Sequence, residues 1–282
     1  MQDLEHPFLP AELEREIFEI AARSLEPPTT KNCNDLLLVA KRAQIWVEPI
    51  IYETVAYSNR GSNELQCFPV PQSQRHHIRN LLLSGPIDIN FVYSLLRECH
   101  NVTNLALWCP VSPTTLEIII TLPLHTLSGN FHGLTVPNHL PLFDTGIRYT
   151  ISPFKTVTHL EFSNYCSDWD MCAELADLPG LTHLSFNNDV PSAVLKGALE
   201  ACLGLKVLIS LGFHYSDRQL FVFSEKEKYS GLDDIRLVHL SQPASDVMSD
   251  WLEEANGGVS FWKVADKVVQ ERIAKAQITS AA

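Results

Sequence analysis

Residues 181–186 read Leu-Thr-His-Leu-Ser-Phe, with apolar side chains at the first, fourth and sixth positions. Residues 102–107, Val-Thr-Asn-Leu-Ala-Leu, carry the same pattern. Further copies begin at residues 78, 157 and 232, and weaker copies begin at residues 124 and 205. Successive copies start 22 to 27 residues apart, with one longer step of 33. This spacing is typical of an internal repeat whose units stack into a solenoid.

Helical segments between the copies complete the repeat unit. Residues 89–97 and 193–202 each place apolar side chains on one side at helical spacing. A strand–helix unit cannot bury its own apolar face, so neighbouring units must stack around a common core. The sequence therefore predicts an α/β fold, an irregular solenoid over residues 78–258 with parallel strands inside and helices outside. Residues 259–282 are expected to form a helix that caps the open end, followed by a tail.

The residues between the apolar positions of each strand should point to the opposite, concave face of the sheet. Equivalent side chains of successive strands then stack into rows that can bind a target protein. The candidate target-binding residues on this face are Asn80, Asn104, Trp108, His159, Glu161, His183, Asp234 and Arg236. For the two histidines, which are equivalent in adjacent copies, solvated polar side chains are favoured over a shared proton-sensitive or metal-binding role. The Pro- and Gly-rich stretch 129–141 is a candidate contact loop.

A short helical segment near the N-terminus differs from the repeats. Residues 9–18, Leu-Pro-Ala-Glu-Leu-Glu-Arg-Glu-Ile-Phe, predict an amphipathic helix that begins at Pro10. A second apolar segment, capped by Asn34-Asp35, should run from Leu36 to Val47 and end before Pro49. Helices confined to about fifty residues bury little surface by themselves. This favours a module that docks onto a partner.

The run Leu9-Pro10-x-Glu12-Leu13-x-x-x-Ile17-Phe18, followed by Leu36–Arg42 and Trp46, resembles an F-box in the F-box-like form common in fungal proteins. The match covers about residues 8–53. The repeats resemble the leucine-rich repeats found after F-boxes, although most copies lack the Asn or Cys expected beyond the third aliphatic position. The resemblance divides the chain into an F-box-like helical module (1–58), a linker (59–77), divergent leucine-rich repeats (78–258) and a capping helix with a tail (259–282).

The resemblance implies that the N-terminal helices bind a Skp-type adaptor and, through it, a cullin–RING ubiquitin ligase. Carried over by position, the adaptor-facing residues are Leu9, Pro10, Leu13, Ile17, Phe18, Leu38, Val39 and Trp46. In the commonest F-box pattern a Trp follows the Lys/Arg closely, whereas Ala43-Gln44-Ile45 intervene here. The implied function is a non-catalytic substrate-recognition subunit that holds an unknown target protein. The alternative is a leucine-rich-repeat scaffold whose F-box-like helices only cap the solenoid.

Composition limits the other function classes. The chain has 282 residues and a formal net charge of −12, so nucleic-acid binding is not expected. No apolar run approaches the roughly 18–20 residues of a membrane helix, and the lack of a secretory signal predicts a cytoplasmic or nuclear location. Seven cysteines without a C-x-x-C motif predict buried free thiols. Nucleotide, zinc-protease and hydrolase motifs are missing from the sequence, so we expect no catalytic residue, metal or cofactor.

Overall fold

The structure is a computed structural model that describes residues 9–25, 32–58, 70–129, 154–163, 166–187, 190–214, 221–222, 232–243 and 247–281. The contact loop predicted at residues 129–141 lies, except for its first residue, outside the described residues. None of the helices in the described ranges is long and apolar enough to cross a membrane.

After an all-helical start, helices separate most strands of the described residues, but β4 is followed by β5, and β7 by β8 and β9, without a described helix between them. The helices are α1 (Ala11–Arg23), α2 (Asn34–Val39), α3 (Lys41–Ile51), α4 (Ile89–Glu98), α5 (Pro113–Ile119), α6 (Ser192–Ala201), α7 (Val247–Ala255) and α8 (Phe261–Ala281). The strands are β1 (Thr54–Ser58), β2 (Asn80–Ser84), β3 (Asn104–Trp108), β4 (Thr126–Gly129), β5 (His159–Phe162), β6 (His183–Asn187), β7 (Val207–His214), β8 (Phe221–Val222) and β9 (Leu237–Pro243). Short 3₁₀ helices span Gln72–His77, Trp169–Met171 and Ala173–Asp177.

One sheet runs through the whole repeat region in the order β1-β2-β3-β4-β5-β6-β7-β9-β8. Neighbouring strands from β1 to β9 pair in parallel, and β8 pairs antiparallel with β9. The register places the fourth positions of the first six copies side by side across the sheet, namely Leu81, Leu105, Leu127, Leu160, Leu184 and Leu208. The predicted α/β fold with a parallel, solenoid-like sheet is therefore confirmed.

The main core lies between the sheet and the helices that follow its strands. In the first predicted copy, Ile78, Leu81 and Leu83 are fully buried and share a core cluster with Val92 and Leu95 of α4. Strand side chains alternate between faces, so the fourth and sixth positions of a copy point to this layer, and the first position joins it from the turn just before the strand. The six cysteines of the described residues are buried free thiols.

The sheet begins earlier in the chain than the sequence analysis predicts. Residues 54–58, assigned there to the helical module, form β1 and pair with β2 in register from Thr54–Asn80 to Ser58–Ser84. Tyr52, Val55 and Tyr57 occupy the repeat positions of this unit, and the two tyrosines conceal the aliphatic pattern. Part of the predicted linker also belongs to the array, because Val70 and Ile78 are buried on either side of the 3₁₀ helix at residues 72–77.

The N-terminal helices begin and end at different residues than predicted. Asn34 is the first residue of α2, and Cys33 stands at the N-cap without a side-chain hydrogen bond. The predicted single helix is interrupted at Ala40, whose backbone is extended. The next helix, α3, runs from Lys41 through Pro49 to Ile51. Pro49 is tolerated because it lies in the last turn, where only one backbone hydrogen bond is lost.

The seventh copy has a different phase from the predicted one. Leu237 pairs with Leu208, so it takes the fourth position of the repeat and not the sixth. Ile235, which the predicted phase would bury, is 48% exposed. The strand starts at Leu237, five residues after the predicted start of the copy, whereas the other strands start two residues after theirs.

The C-terminal helices lie where the sequence analysis placed a target. The segment predicted as a cap, residues 259–282, forms α8, but this helix packs on the concave face and not over the open end of the array. Side chains of α7 pack on the concave face against Leu82 and Ala106, and side chains of α8 pack there against Val207 and Ile209. These two helices, residues 247–281, are called the C-terminal helices below.

A close contact between α6 and the neighbouring 3₁₀ helix gives a first prediction. A Cβ atom on Gly197 would lie 2.4 Å from Cγ of Trp169, far inside van der Waals contact. Gly197→Ala should therefore lower the free energy of unfolding, although alanine favours a helix by about 1 kcal/mol over glycine. Urea denaturation measures the change. With Trp169→Ala as background, Gly197→Ala should instead stabilise; stabilisation in the parent chain would contradict the close packing.

Candidate docking surfaces

The N-terminal helices α1–α3 form a small module with its own core. Ala22, Cys33, Val47, Ile50 and Ile51 are buried together. Partly buried side chains complete this cluster, namely Phe18, Leu25, Leu36, Leu37 and Tyr52. An ion pair between Arg42 and Glu14 (2.7 Å) links α3 to α1 across the module surface.

The apolar stripe of α1 faces outward. Leu9, Leu13, Ile17 and Ile20 are 49% to 61% exposed, although they recur at the spacing that normally marks a buried helix face. On α2, Leu38 and Val39 are exposed as well, Leu38 at 79%. Pro10, at the N-cap of α1, is also exposed. Most of the predicted adaptor-facing residues are thus accessible on the surface of the module.

Phe18 and Trp46 are placed differently from the other predicted adaptor residues. Their rings pack on each other with centroids 6.1 Å apart, and Phe18 joins the core of the module. Neighbouring residues on a helix are about 100° apart, so Phe18 cannot share the outward stripe of Ile17. These two residues support the surface from inside.

The module is attached firmly to the repeat array. Tyr52 packs against the core of the module and against the main core. The backbone N–H groups of Arg79 and Asn80 donate to the carbonyl oxygen of Glu53, and Gln74 Nε2 donates to Glu48 Oε2 (3.1 Å). The Arg23–Glu53 ion pair (3.1 Å) borders a polar cavity of about 650 Å³ at this junction. The α3–β1 connection is therefore a packed joint.

The concave face of the sheet is covered by the C-terminal helices. Near β2 and β3, Trp108 and the α7 residues Met248, Trp251 and Leu252 pack against Ala56, Leu82 and Ala106. Near β7 and β9, the α8 residues Trp262, Ala265 and Val269 are buried against Val207, Ile209, Leu211, Val238 and Leu240. Much of the face that was predicted to bind a target is therefore buried under α7 and α8.

Asn80, Asn104 and Trp108 make hydrogen bonds within the protein. Asn80 Nδ2 donates to Thr54 Oγ1 (2.9 Å) and to the carbonyl oxygen of Ala255 in α7 (3.2 Å). Asn104 Nδ2 donates to Asn80 Oδ1 (2.6 Å), and Trp108 Nε1 donates to the Ser128 hydroxyl (2.9 Å). The predicted free polar row is therefore an amide ladder that binds the end of α7.

His159 and His183 stack under α8. Their rings are 4.0 Å apart and nearly parallel, which confirms that they are neighbours in adjacent copies. Trp262 meets both rings edge-on, and His183 Nε2 lies 3.1 Å from Asp266 Oδ1. Burial, with a smaller contribution from His183, lowers the pKa of His159 to about 4, so this ring is neutral near pH 7. The expectation of solvated histidines is wrong, because α8 covers the pair and leaves His183 buried and His159 half-buried.

Glu161 is the most deeply buried charged group that the sequence analysis selected. It is 4% exposed and accepts hydrogen bonds from Asn187 Nδ2 (2.6 Å) and from Ser128. Burial raises its pKa despite these two donors. Trp108 donates to the same serine, so Trp108, Ser128, Glu161 and Asn187 form one buried network. The sequence analysis missed Asn187, because its partner Glu161 comes from a different repeat.

Asp234 and Arg236 do not lie on the concave face. Arg236 donates to Asp234 Oδ2 (2.7 Å) and to the carbonyl oxygen of Leu199 at the end of α6 (3.0 Å). The Arg236 guanidinium lowers the pKa of Asp234 through hydrogen bonds and charge. The later start of β9 explains this placement, since Val238 takes the position on the concave face that Arg236 was predicted to occupy.

Glu254 of α7 gives a pH-dependent prediction. Burial, with the nearby charge of Glu161, raises its pKa from 4.5 to about 7, while Lys263 and a hydrogen bond from Ser260 act in the opposite sense. The folded state thus holds a proton more tightly than the unfolded state, and stability falls as pH rises from 4.5 through 7. A shift of this size corresponds to at most roughly 3 kcal/mol.

Glu254→Gln should make the free energy of unfolding higher than that of the parent chain at pH 8 and nearly equal at pH 4. Urea denaturation at a series of pH values measures this. The pH dependence should shrink and not vanish, because the pKa of Glu161 is also raised. Glu253→Gln on the exposed side of α7 is the matched control and should change little. If Glu254→Gln instead lowered the free energy of unfolding by the same amount at every pH, the raised pKa of Glu254 would be contradicted.

Comparison with known proteins does not assign the chain to a family. No protein-family model matches the chain, and no curated protein sequence matches it. Among the described residues, no group of His, Cys, Asp and Glu side chains is arranged to hold a metal ion.

Proposed function

We propose that the protein is a non-catalytic substrate-recognition subunit of a Skp–cullin–F-box ubiquitin ligase, with α1–α3 as an F-box-like module and the repeats as divergent leucine-rich repeats. In this proposal the module docks a Skp-type adaptor, which connects the chain to a cullin–RING ligase. The observation that carries the proposal is the outward apolar stripe of α1, which coincides with the residues that the sequence resemblance assigns to the adaptor.

The energetics of this stripe favour a partner. Full burial of a side chain such as leucine or isoleucine stabilises a complex by about 1.5–3 kcal/mol. Leu9, Leu13 and Ile17 each retain about half of their surface in the free chain, and exposed apolar patches of this kind mark interaction sites. Phe18 and Trp46 hold the helix from behind, so the surface is presented without rearrangement of the module.

The target surface in this proposal includes the C-terminal helices. The strand residues of the concave face are bonded to those helices or buried beneath them, so a folded target cannot reach them while α7 and α8 stay in place. The outward sides of α7 and α8, and the rims of the sheet, are the accessible surfaces on the concave side.

The alternative function is a leucine-rich-repeat scaffold whose helical module only caps the array. Its support is the packed joint at Tyr52 and β1, because a cap must cover the edge of the first repeat. A cap, however, turns its apolar face toward the array, whereas α1 turns its apolar stripe away from it. The docking proposal therefore explains the exposed apolar stripe of α1, which the capping alternative does not explain.

Co-expression of the full chain with a Skp-type adaptor tests the proposal. We expect affinity capture and size-exclusion chromatography to yield a stable one-to-one complex. If the chain instead elutes alone as a stable monomer in the presence of excess adaptor, the docking proposal fails and the scaffold alternative stands.

A further inference from the structure

Two cysteines flank a short 3₁₀ helix on the side of the array that faces α6. Cys166 precedes the helix Trp169–Met171 and Cys172 follows it. Their sulfur atoms are 3.5 Å apart, and the side chains are 6% and 4% exposed. The two thiols are therefore in direct contact, just beneath the surface of the protein.

The hydrogen bonds give the two sulfurs different roles. Cys166 Sγ donates to the carbonyl oxygen of Asp168 at 3.2 Å, which leaves the Cys172 S–H to donate to Cys166 Sγ. A hydrogen bond from Cys172 favours the thiolate of Cys166 and lowers its pKa, whereas the Cys172 pKa is raised. Burial raises the pKa of Cys202 to about 11. Since the thiolate is the reactive form of a thiol, the hydrogen bond from Cys172 favours Cys166 over Cys172 as the nucleophile.

We propose that Cys166 and Cys172 are a redox modification site, a dithiol that a hydroperoxide converts into an intramolecular disulfide. Cys166 first loses its S–H proton to water, and the thiolate attacks one oxygen of hydrogen peroxide; the O–O bond breaks and hydroxide leaves, so Cys166 becomes a sulfenic acid. The Cys172 sulfur then attacks the Cys166 sulfur, the S–O bond breaks, and water leaves with the proton of Cys172. Both sulfurs are oxidised and the peroxide is reduced.

The local structure permits this bond. A disulfide needs the sulfurs to approach to about 2.05 Å, a movement of about 1.5 Å from the observed contact. The residues between the two cysteines form an irregular loop and one 3₁₀ turn outside the sheet, so the change need not disturb the strands. Trp169 on this turn packs against Gly197 of α6. A movement of the turn on disulfide formation would therefore reach α6 through this contact.

Peptide mapping of the full chain tests the proposal. No Lys or Arg occurs between Lys155 and Lys196, so trypsin keeps both cysteines in one peptide. After brief treatment with hydrogen peroxide, that peptide should lose about 2 Da and regain the mass after reduction by dithiothreitol. Cleavage before Asp168 and Asp170 separates the cysteines, so the resulting fragments should stay linked only when oxidised.

Variants identify the nucleophile. In Cys172→Ser, dimedone should trap a sulfenic acid on Cys166, and in Cys166→Ser neither trapping nor disulfide formation should occur. Cys202→Ser is the matched control, and it should oxidise like the parent chain. We expect Cys166 to react at least about tenfold faster than Cys202. Equal reaction of all thiols with peroxide, or a disulfide between Cys172 and Cys202, would overturn the proposal. Both outcomes can be measured on the parent chain, so the test does not depend on whether a variant folds well.

Discussion

Replacing Leu9 and Ile17 together by aspartate is expected to abolish capture of a Skp-type adaptor while the chain stays folded. Both side chains are about half exposed in the free protein, so aspartate is solvated there and removes little internal packing. In a complex the two carboxylates would be desolvated against an apolar partner, which is unfavourable by several kcal/mol. Affinity should fall by at least about 100-fold.

Co-purification and thermal unfolding of the double variant measure the two halves of this prediction. Ile278→Asp is the matched control, because Ile278 is an exposed isoleucine on the distant end of α8. It should leave adaptor capture unchanged. Undiminished capture by the double variant would place the adaptor elsewhere on the chain, and a lost thermal transition would show that the stripe stabilises the module instead.

The repeat pattern carried most of the fold information in the sequence. The strands at residues 80, 104, 126, 159, 183 and 207 each begin two residues after the predicted start of a copy. This accuracy follows from local physics: in every unit two apolar positions on one face of a short strand, and one in the turn before it, must meet the same core. The exposed α1 stripe was likewise identified residue by residue, since helical spacing alone defines which side chains share a face.

The cover over the concave face could not be read from the same pattern. Periodicity shows that a surface is apolar, but it does not show which distant segment will bury it. Leu82, Ala106, Val207 and Ile209 lie at positions expected to meet solvent, and their apolar character was the available signal that something must cover them. The phase of the last copy was mispredicted for a related reason. Leu232, Ile235 and Leu237 match the sequence pattern, but the register of this strand is set by its pairing with β7, which the pattern does not show.

Trp262→Ala should be among the most destabilising single substitutions in the C-terminal helices. Trp262 is 4% exposed, packs edge-on against His159 and His183, and belongs to the apolar cluster that joins α8 to β7 and β9. Truncation of a buried tryptophan costs about 3–5 kcal/mol, through lost apolar burial and the cavity that remains. Equilibrium urea denaturation should show a loss in this range. Gln270→Ala, exposed on the same helix, is the matched control and should change stability little.

The same variant separates a cover over the sheet from a cap at its end. With the indole removed, water reaches the stacked histidines, so the pKa of His159 should rise from about 4 toward its ordinary value of 6.5. Titration of the histidine ring protons by NMR reports this directly. If α8 only closed the end of the array near β9, the loss of Trp262 would leave the ring of His159 on β5 unchanged, since β6 and β7 lie between them. A rise in the His159 pKa together with a large loss of stability would mean that a target must displace α8 or bind on top of it.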